Sequence, residues 1–100
     1  MFLRRHGLRL IEKNFHCRSG EIDIIMVEQR ILVFVEVRYR SSKRFGGAAA
    51  SVGHKKQQRL IKAADTYLLS KPEFTSWPAR FDVVAIDHRN ISWLKNAFEC

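Results

Sequence analysis

Apolar residues recur along this chain in two rhythms. Residues 21–27 and 31–39 are dense in Ile and Val, the side chains that favour strands. The run Ile31-Leu32-Val33-Phe34-Val35 is apolar on both faces, the pattern of a central buried strand. Gln29 and Arg30 stand between the two runs as the central residues of a hairpin turn, although the pair is not of the favoured Asn-Gly type. Residues 8–17 read as an earlier strand, with Gly7 placed to cap a helix stub before it. Residues 41–50 read as a loop, on Ser41-Ser42 and Gly46-Gly47. The rhythm then becomes helical. Leu60, Ile61, Ala64, Tyr67 and Leu68 share one face of a helix that starts near 51–53 and ends before Pro72. Residues 80–86 and 91–95 read as two more strands around a turn at 87–90. The predicted order is (helix stub)-β-β-β-α-β-β, an α/β domain with a mixed central sheet of about five strands flanked by helices.

Charge sharpens this picture. The 100-residue chain carries a net charge of +8, and its 46% apolar content is that of a globular protein with one core. Between Arg38 and Lys62 there are eight bases and no acid, while the remaining residues hold ten bases against ten acids. The whole excess therefore lies in one stretch: Arg38, Arg40, Lys43, Arg44, Lys55, Lys56, Arg59 and Lys62. Focused charge of this kind suits a polyanion, nucleic acid first, and the plain alternative is a solvated basic surface. No apolar run approaches the roughly 20 residues of a membrane helix. Cys17 and Cys100 form neither a metal pair nor a disulfide framework, which leaves two thiols in a reducing cytoplasm as the simplest expectation.

Chemistry enters through carboxylates. Side chains alternate along a strand, so Glu36 and Arg38 share a face, as do Glu21 and Asp23. With Gln29-Arg30 as the turn, Glu28 pairs with Ile31, and counting back sets Asp23 directly opposite Glu36, with Cβ atoms about 5 Å apart. Two carboxylates that close repel one another and need positive charge between them. Mg²⁺ or Mn²⁺ is one solution, because such ions take one or two protein carboxylates plus water and phosphate oxygens. In phosphodiester hydrolysis the ion would acidify the attacking water, and a fixed cation at Arg38 would face the phosphate. A simple Asp23–Arg38 or Glu36–Arg38 salt bridge on an exposed sheet face is the other solution.

Several motifs together resemble the YraN family of uncharacterised bacterial proteins: Gly20-Glu21-Ile22-Asp23-Ile24-Ile25, Phe34-Val35-Glu36-Val37-Arg38-Tyr39-Arg40, Phe45-Gly46-Gly47, Arg80-Phe81-Asp82-Val83-Val84 and Asn96-Ala97-Phe98. That family is similar to archaeal Holliday-junction resolvases, which have the restriction-endonuclease-like fold. The resemblance implies a Mg²⁺-dependent endonuclease acting on DNA, on branched or recombining structures. Asp23 and Glu36 would be its metal ligands, and Arg38 would stand where the nuclease pattern has Lys. Arg40, Lys43, Arg44, Lys55, Lys56 and Arg59 would hold the DNA, and a homodimer would match a two-fold substrate. Two departures stand out. Arg keeps its charge and is a poor proton shuttle where Lys can be tuned. The family's acid-bearing N-terminal helix does not fit in residues 1–6, which are too few and contain no acid, so either the chain is cut short at its start or it lacks one acid. A single domain spanning 1–100 without most of that helix is therefore expected. A non-catalytic nucleic-acid-binding module with a degenerate site is the alternative.

Other residues carry weaker signals. Arg80 and Asp82 share a strand face and read as a structural ion pair before substrate contacts. Trp77 and Trp93 are candidates for stacking on bases, with Trp93 suited to a core.

Overall fold

The computed structural model describes residues 2–39, 52–87 and 90–98. The expected loop at 41–50 lies outside the described residues, together with Arg40, Lys43, Arg44 and Cys100. The remaining elements follow the expected order. A helix stub α1 (Phe2–Arg5) precedes β1 (Arg9–Cys17), β2 (Gly20–Glu28), β3 (Ile31–Tyr39), α2 (His54–Ser70), a 3-10 turn (Pro72–Phe74), β4 (Ala79–Ile86) and β5 (Ile91–Phe98). They form one five-stranded sheet in sequence order. β3 and β4 run parallel, with α2 as the crossover between them, and every other neighbouring pair is antiparallel.

Local rules explain the joints. Gly7 has φ +94°; its N–H bonds the Arg4 carbonyl at 3.1 Å, and Leu8 N–H bonds that of Leu3 at 3.2 Å. This is a Schellman cap, completed by the buried pair Leu3 and Leu8. Gln29 takes φ +57°, the left-handed value that a tight hairpin turn needs at its first central residue. The ladder starts from Glu28–Ile31 as the pattern predicts.

The sheet is covered on both faces by different partners. On one, Ile22, Ile25, Val27, Leu32, Phe34, Phe81 and Val83 pack against Leu60, Ala63, Ala64 and Tyr67 of α2. On the other, Met26, Val33, Val35 and Val84 pack with Leu3 and Leu8. β3 is thus buried on both sides, which is why its sequence does not alternate. α2 buries Ala63 as well as the expected Leu60, Ala64 and Tyr67, while Ile61 and Leu68 are only partly buried. Tyr67 is fully buried in an aromatic cluster with Phe15 and Phe34, yet its hydroxyl has no hydrogen-bond partner among the described residues. Tyr67→Phe removes a desolvated, unpaired group and should stabilise the fold by about 1 kcal/mol, read from urea unfolding midpoints.

Both edge strands carry irregularities. The β1 ladder shifts between Leu10 and Glu12, and Asn14 sits at φ +55°. The β4–β5 ladder shifts between Phe81 and Val83, and Asn96 sits at φ +52°. Bulges of this sort disrupt an edge as a template for further pairing. β5 continues past this point to Phe98, beyond the expected end at residue 95.

Candidate active site at a fork in the sheet

The ladder between β2 and β3 runs from Glu28–Ile31 to Ile24–Val35 and stops there. β2 keeps its pairing with β1 as far as Gly20, and β3 keeps its pairing with β4 as far as Tyr39. The sheet therefore forks, with β2 on one arm and β3 on the other. Asp23 is the first residue beyond the fork on β2. The backbone pairing of Asp23 with Glu36 expected from a regular register is replaced by a side-chain link. The Val37 N–H donates to Asp23 Oδ2 at 2.8 Å, and this satisfies a strand donor that the fork leaves without a backbone partner.

Glu36 stands opposite, on the face covered by α2. It is only 4% exposed. Its Oε2 has two cations at 3.5 Å, Arg38 Nη1 and Lys56 Nζ. Its Oε1 is buried and has no hydrogen-bond partner among the described residues. Burial, after it the negative charge of Asp23, and less strongly a side-chain hydrogen bond that the protonated carboxyl can give Asp23, hold Glu36 above its ordinary pKa; Lys56, and least of all Arg38, pull it back. A desolvated carboxylate beside a second carboxylate, with one oxygen free, is a receptor for positive charge.

The free Oε1 and the adjacent Asp23 fit a hard divalent cation, which accepts one or two protein carboxylates and completes its shell with other oxygens. The fit is a two-carboxylate one: no group of three or more His, Cys, Asp or Glu gathers among the described residues. Glu21, which shares the Gly-Glu-Ile-Asp motif, is exposed and pairs with His16 at 3.0 Å.

The basic residues divide into two sets. His54, Lys55, Gln58, Arg59 and Lys62 line a shallow groove of about 460 Å³ with Ser19 of the β1–β2 turn. Gly20, at φ +154°, brings that turn against α2; a Cβ there would meet the Arg59 Cβ at 3.4 Å. The first turn of α2 contains no acid, and Gly53 caps it without a side chain. Lys56 lies outside the groove lining and turns to Glu36. The sequence held a signal for this. Lys56, Leu60, Ala63 and Tyr67 follow i, i+4, i+7, i+11 spacing, so Lys56 continues the buried stripe of α2.

The remaining candidates sit elsewhere. Asp82 is fully buried on the opposite face and takes a two-pronged contact from Arg80. Trp93 donates its indole N–H to Asp82 and packs on Phe2, and Trp77 packs edge-on against Phe74 under Arg30. No helix among the described residues is long and apolar enough to cross a membrane.

Residues 1–86 match the profile of a family described as uncharacterised protein family UPF0102. Among similar proteins, a UPF0102 protein of Janthinobacterium sp. (strain Marseille) is 54% identical across 99% of this chain and 79% of its own length. One from Saccharophagus degradans is 52% identical across 92% of this chain and 78% of its own. One from Legionella pneumophila is 49% identical across 98% and 85%. With this breadth of similarity, the chain belongs to the UPF0102 family, the YraN-type family of bacterial proteins.

Proposed function

We propose that the chain is a Mg²⁺- or Mn²⁺-dependent endonuclease that acts in the cytoplasm on DNA, on branched or recombining structures. The observation that carries this reading is the buried Oε1 of Glu36, unpartnered among the described residues, beside the Asp23 carboxylate. Asp23 and Glu36 would hold the ion. What a bound ion supplies is positive charge for the phosphate and acidification of the attacking water. Asp23, tied to the Val37 N–H, gives the ligand pair a fixed geometry at the fork of the sheet. Arg38 faces the phosphate as a permanent charge. Lys55, Arg59 and Lys62 give the DNA backbone a basic track along α2. In the reaction a water oxygen bonds to phosphorus and releases its proton to solvent. The leaving oxygen takes the electron pair of the broken P–O bond and a proton from solvent. A two-fold junction would call for a homodimer.

A second reading, a nucleic-acid-binding module that does not cut, draws on the presence of only two gathered carboxylates among the described residues and of Arg at position 38. One experiment separates the two. The purified chain is incubated with a four-way DNA junction, a flapped duplex and a plain duplex, in Mg²⁺, Mn²⁺ or EDTA. Cleavage of a branched substrate that EDTA abolishes is the expected result. Salt-sensitive binding with no cleavage in either metal overturns the nuclease reading and leaves the binding module. An absence of salt-sensitive binding overturns both.

A further inference from the structure

We propose that Lys56 is a phosphate-facing cation of the active site, delivered by α2. The inference rests on the nuclease reading. Three observations carry it. Lys56 Nζ lies 3.5 Å from Glu36 Oε2, the same oxygen that Arg38 Nη1 approaches at 3.5 Å. Neither separation is the 2.7–2.9 Å of a closed charge-assisted hydrogen bond, so both cations stand around the carboxylate without being consumed by it. Lys56 is also set apart from its basic neighbours. Lys55, Arg59 and Lys62 line the open groove, whereas Lys56 occupies the stripe of α2 that continues into Leu60, Ala63 and Tyr67.

A lysine on the buried stripe of a helix needs a reason. Its stem packs inward and its ammonium must find an anion. Here it also lies in the first helical turn, where a cation opposes the helix dipole. Glu36 offsets both penalties in the resting protein. Asp23 and Glu36 would hold a divalent ion whose charge offsets theirs, and the Lys56 ammonium would then face the site as a fixed charge open to another anion. An incoming phosphodiester supplies that anion. Arg38 reaches the pocket from β3 and Lys56 from α2, so the two cations approach from different elements and can contact different oxygens of one phosphate.

The test uses the full chain in single-turnover cleavage of a four-way DNA junction in Mn²⁺, with affinity for the same junction measured in Ca²⁺. Lys56→Met should slow cleavage by about 100-fold, as loss of one preorganised donor does. The deficit should persist at saturating Mn²⁺, and Lys56→Arg should recover most of the rate. Lys13→Met, which removes an equal charge from an exposed position on β1, controls for net charge and should cleave normally. Lys56→Met that matches Lys13→Met in rate overturns the proposal and leaves the nuclease reading intact. So does a deficit that saturating Mn²⁺ erases, since Lys56 would then only hold Glu36 for the metal. A wild-type chain that binds Mn²⁺ and cuts no branched DNA overturns both.

Discussion

Asp23→Asn and Glu36→Gln should each lower Mg²⁺-dependent cleavage of branched DNA by about 10³-fold. A catalytic divalent ion is worth several kcal/mol to phosphoryl chemistry, and each 1.36 kcal/mol is a factor of ten in rate. Both substitutions keep the side-chain volume, so a loss reports charge and ligation. Glu36→Gln should have an opposite effect on the metal-free fold. Glu36 is buried beside Asp23, one of its oxygens has no partner among the described residues, and its two cations, at 3.5 Å and about a third exposed, only partly offset these costs. Removing the charge should therefore stabilise the metal-free protein by about 1 kcal/mol. Mn²⁺ should reverse the order. It should raise the Tm of the wild type, by mass action on the folded state, and leave that of Glu36→Gln almost unmoved. The pH dependence has a definite sign. With its pKa raised, the Glu36 carboxyl favours folding most when protonated. That contribution is complete below the ordinary carboxylate pKa and is lost as pH climbs through the raised value. The stability gap between Glu36→Gln and wild type should thus open with rising pH in melts run from about pH 4 to 7. Unchanged cleavage in either variant, or an equal Mn²⁺ shift in Glu36→Gln, would remove these two residues from the site.

The same residues show how far a pattern reading reaches. Hairpin register was legible because Gln29-Arg30 leaves one consistent pairing, and the observed Glu28–Ile31 pair follows it. β3 and the α2 core face were legible because burial on both sides and burial on one stripe write different rhythms. The fork was not legible. A period of two extends a ladder indefinitely, whereas the sheet stops at Ile24–Val35 and hands the next donor to the Asp23 side chain. The proximity of Asp23 to Glu36 survives this, but its cause differs from the one expected. The contact of Lys56 with Glu36 was not legible, because Lys56 stands in a row of bases expected to meet DNA and its neighbours mask its place on the apolar stripe. Asn14 and Asn96 offered a faint signal, since Asn tolerates the left-handed backbone that both adopt, but nothing local says which Asn will do so. The pairing of Arg80 with Asp82 was legible from i, i+2 spacing. Its partner Glu28, 52 residues from Arg80, was not.

That last cluster sets the largest expected stability effect. Asp82 is fully buried, and four donors converge on its carboxylate. Arg80 Nε and Trp93 Nε1 reach it at 2.9 Å, Arg80 Nη2 at 3.1 Å, and the Asn96 backbone N–H at 2.9 Å. Arg80 in turn bonds Glu28 at 2.7 Å, at the end of β2. One carboxylate thus links the β4–β5 bulge, the Trp93 indole and, through Arg80, the β2–β3 hairpin. Asp82→Ala leaves a mostly buried guanidinium with Glu28 alone and strands two further donors without their acceptor. Removing one partner of a buried pair costs about 3–5 kcal/mol, a large share of the 5–15 kcal/mol that holds a domain of this size together. Arg80→Met should also destabilise, and the double variant should lose less than the sum, because the members of one network couple. The β5 register should loosen first. Asn96 N–H then has no acceptor at its left-handed turn, and faster amide exchange along 91–98 than along β3 would show it. Asp82 pairs in register with Val35, in the layer facing away from α2 and the carboxylate pair. Where the folded state is still populated, Asp82→Ala should therefore bind and cut DNA as the wild type does. A loss below about 1 kcal/mol would show that the network is not holding the sheet. A stable variant with weakened DNA affinity would return Arg80 and Asp82 to the surface that meets substrate.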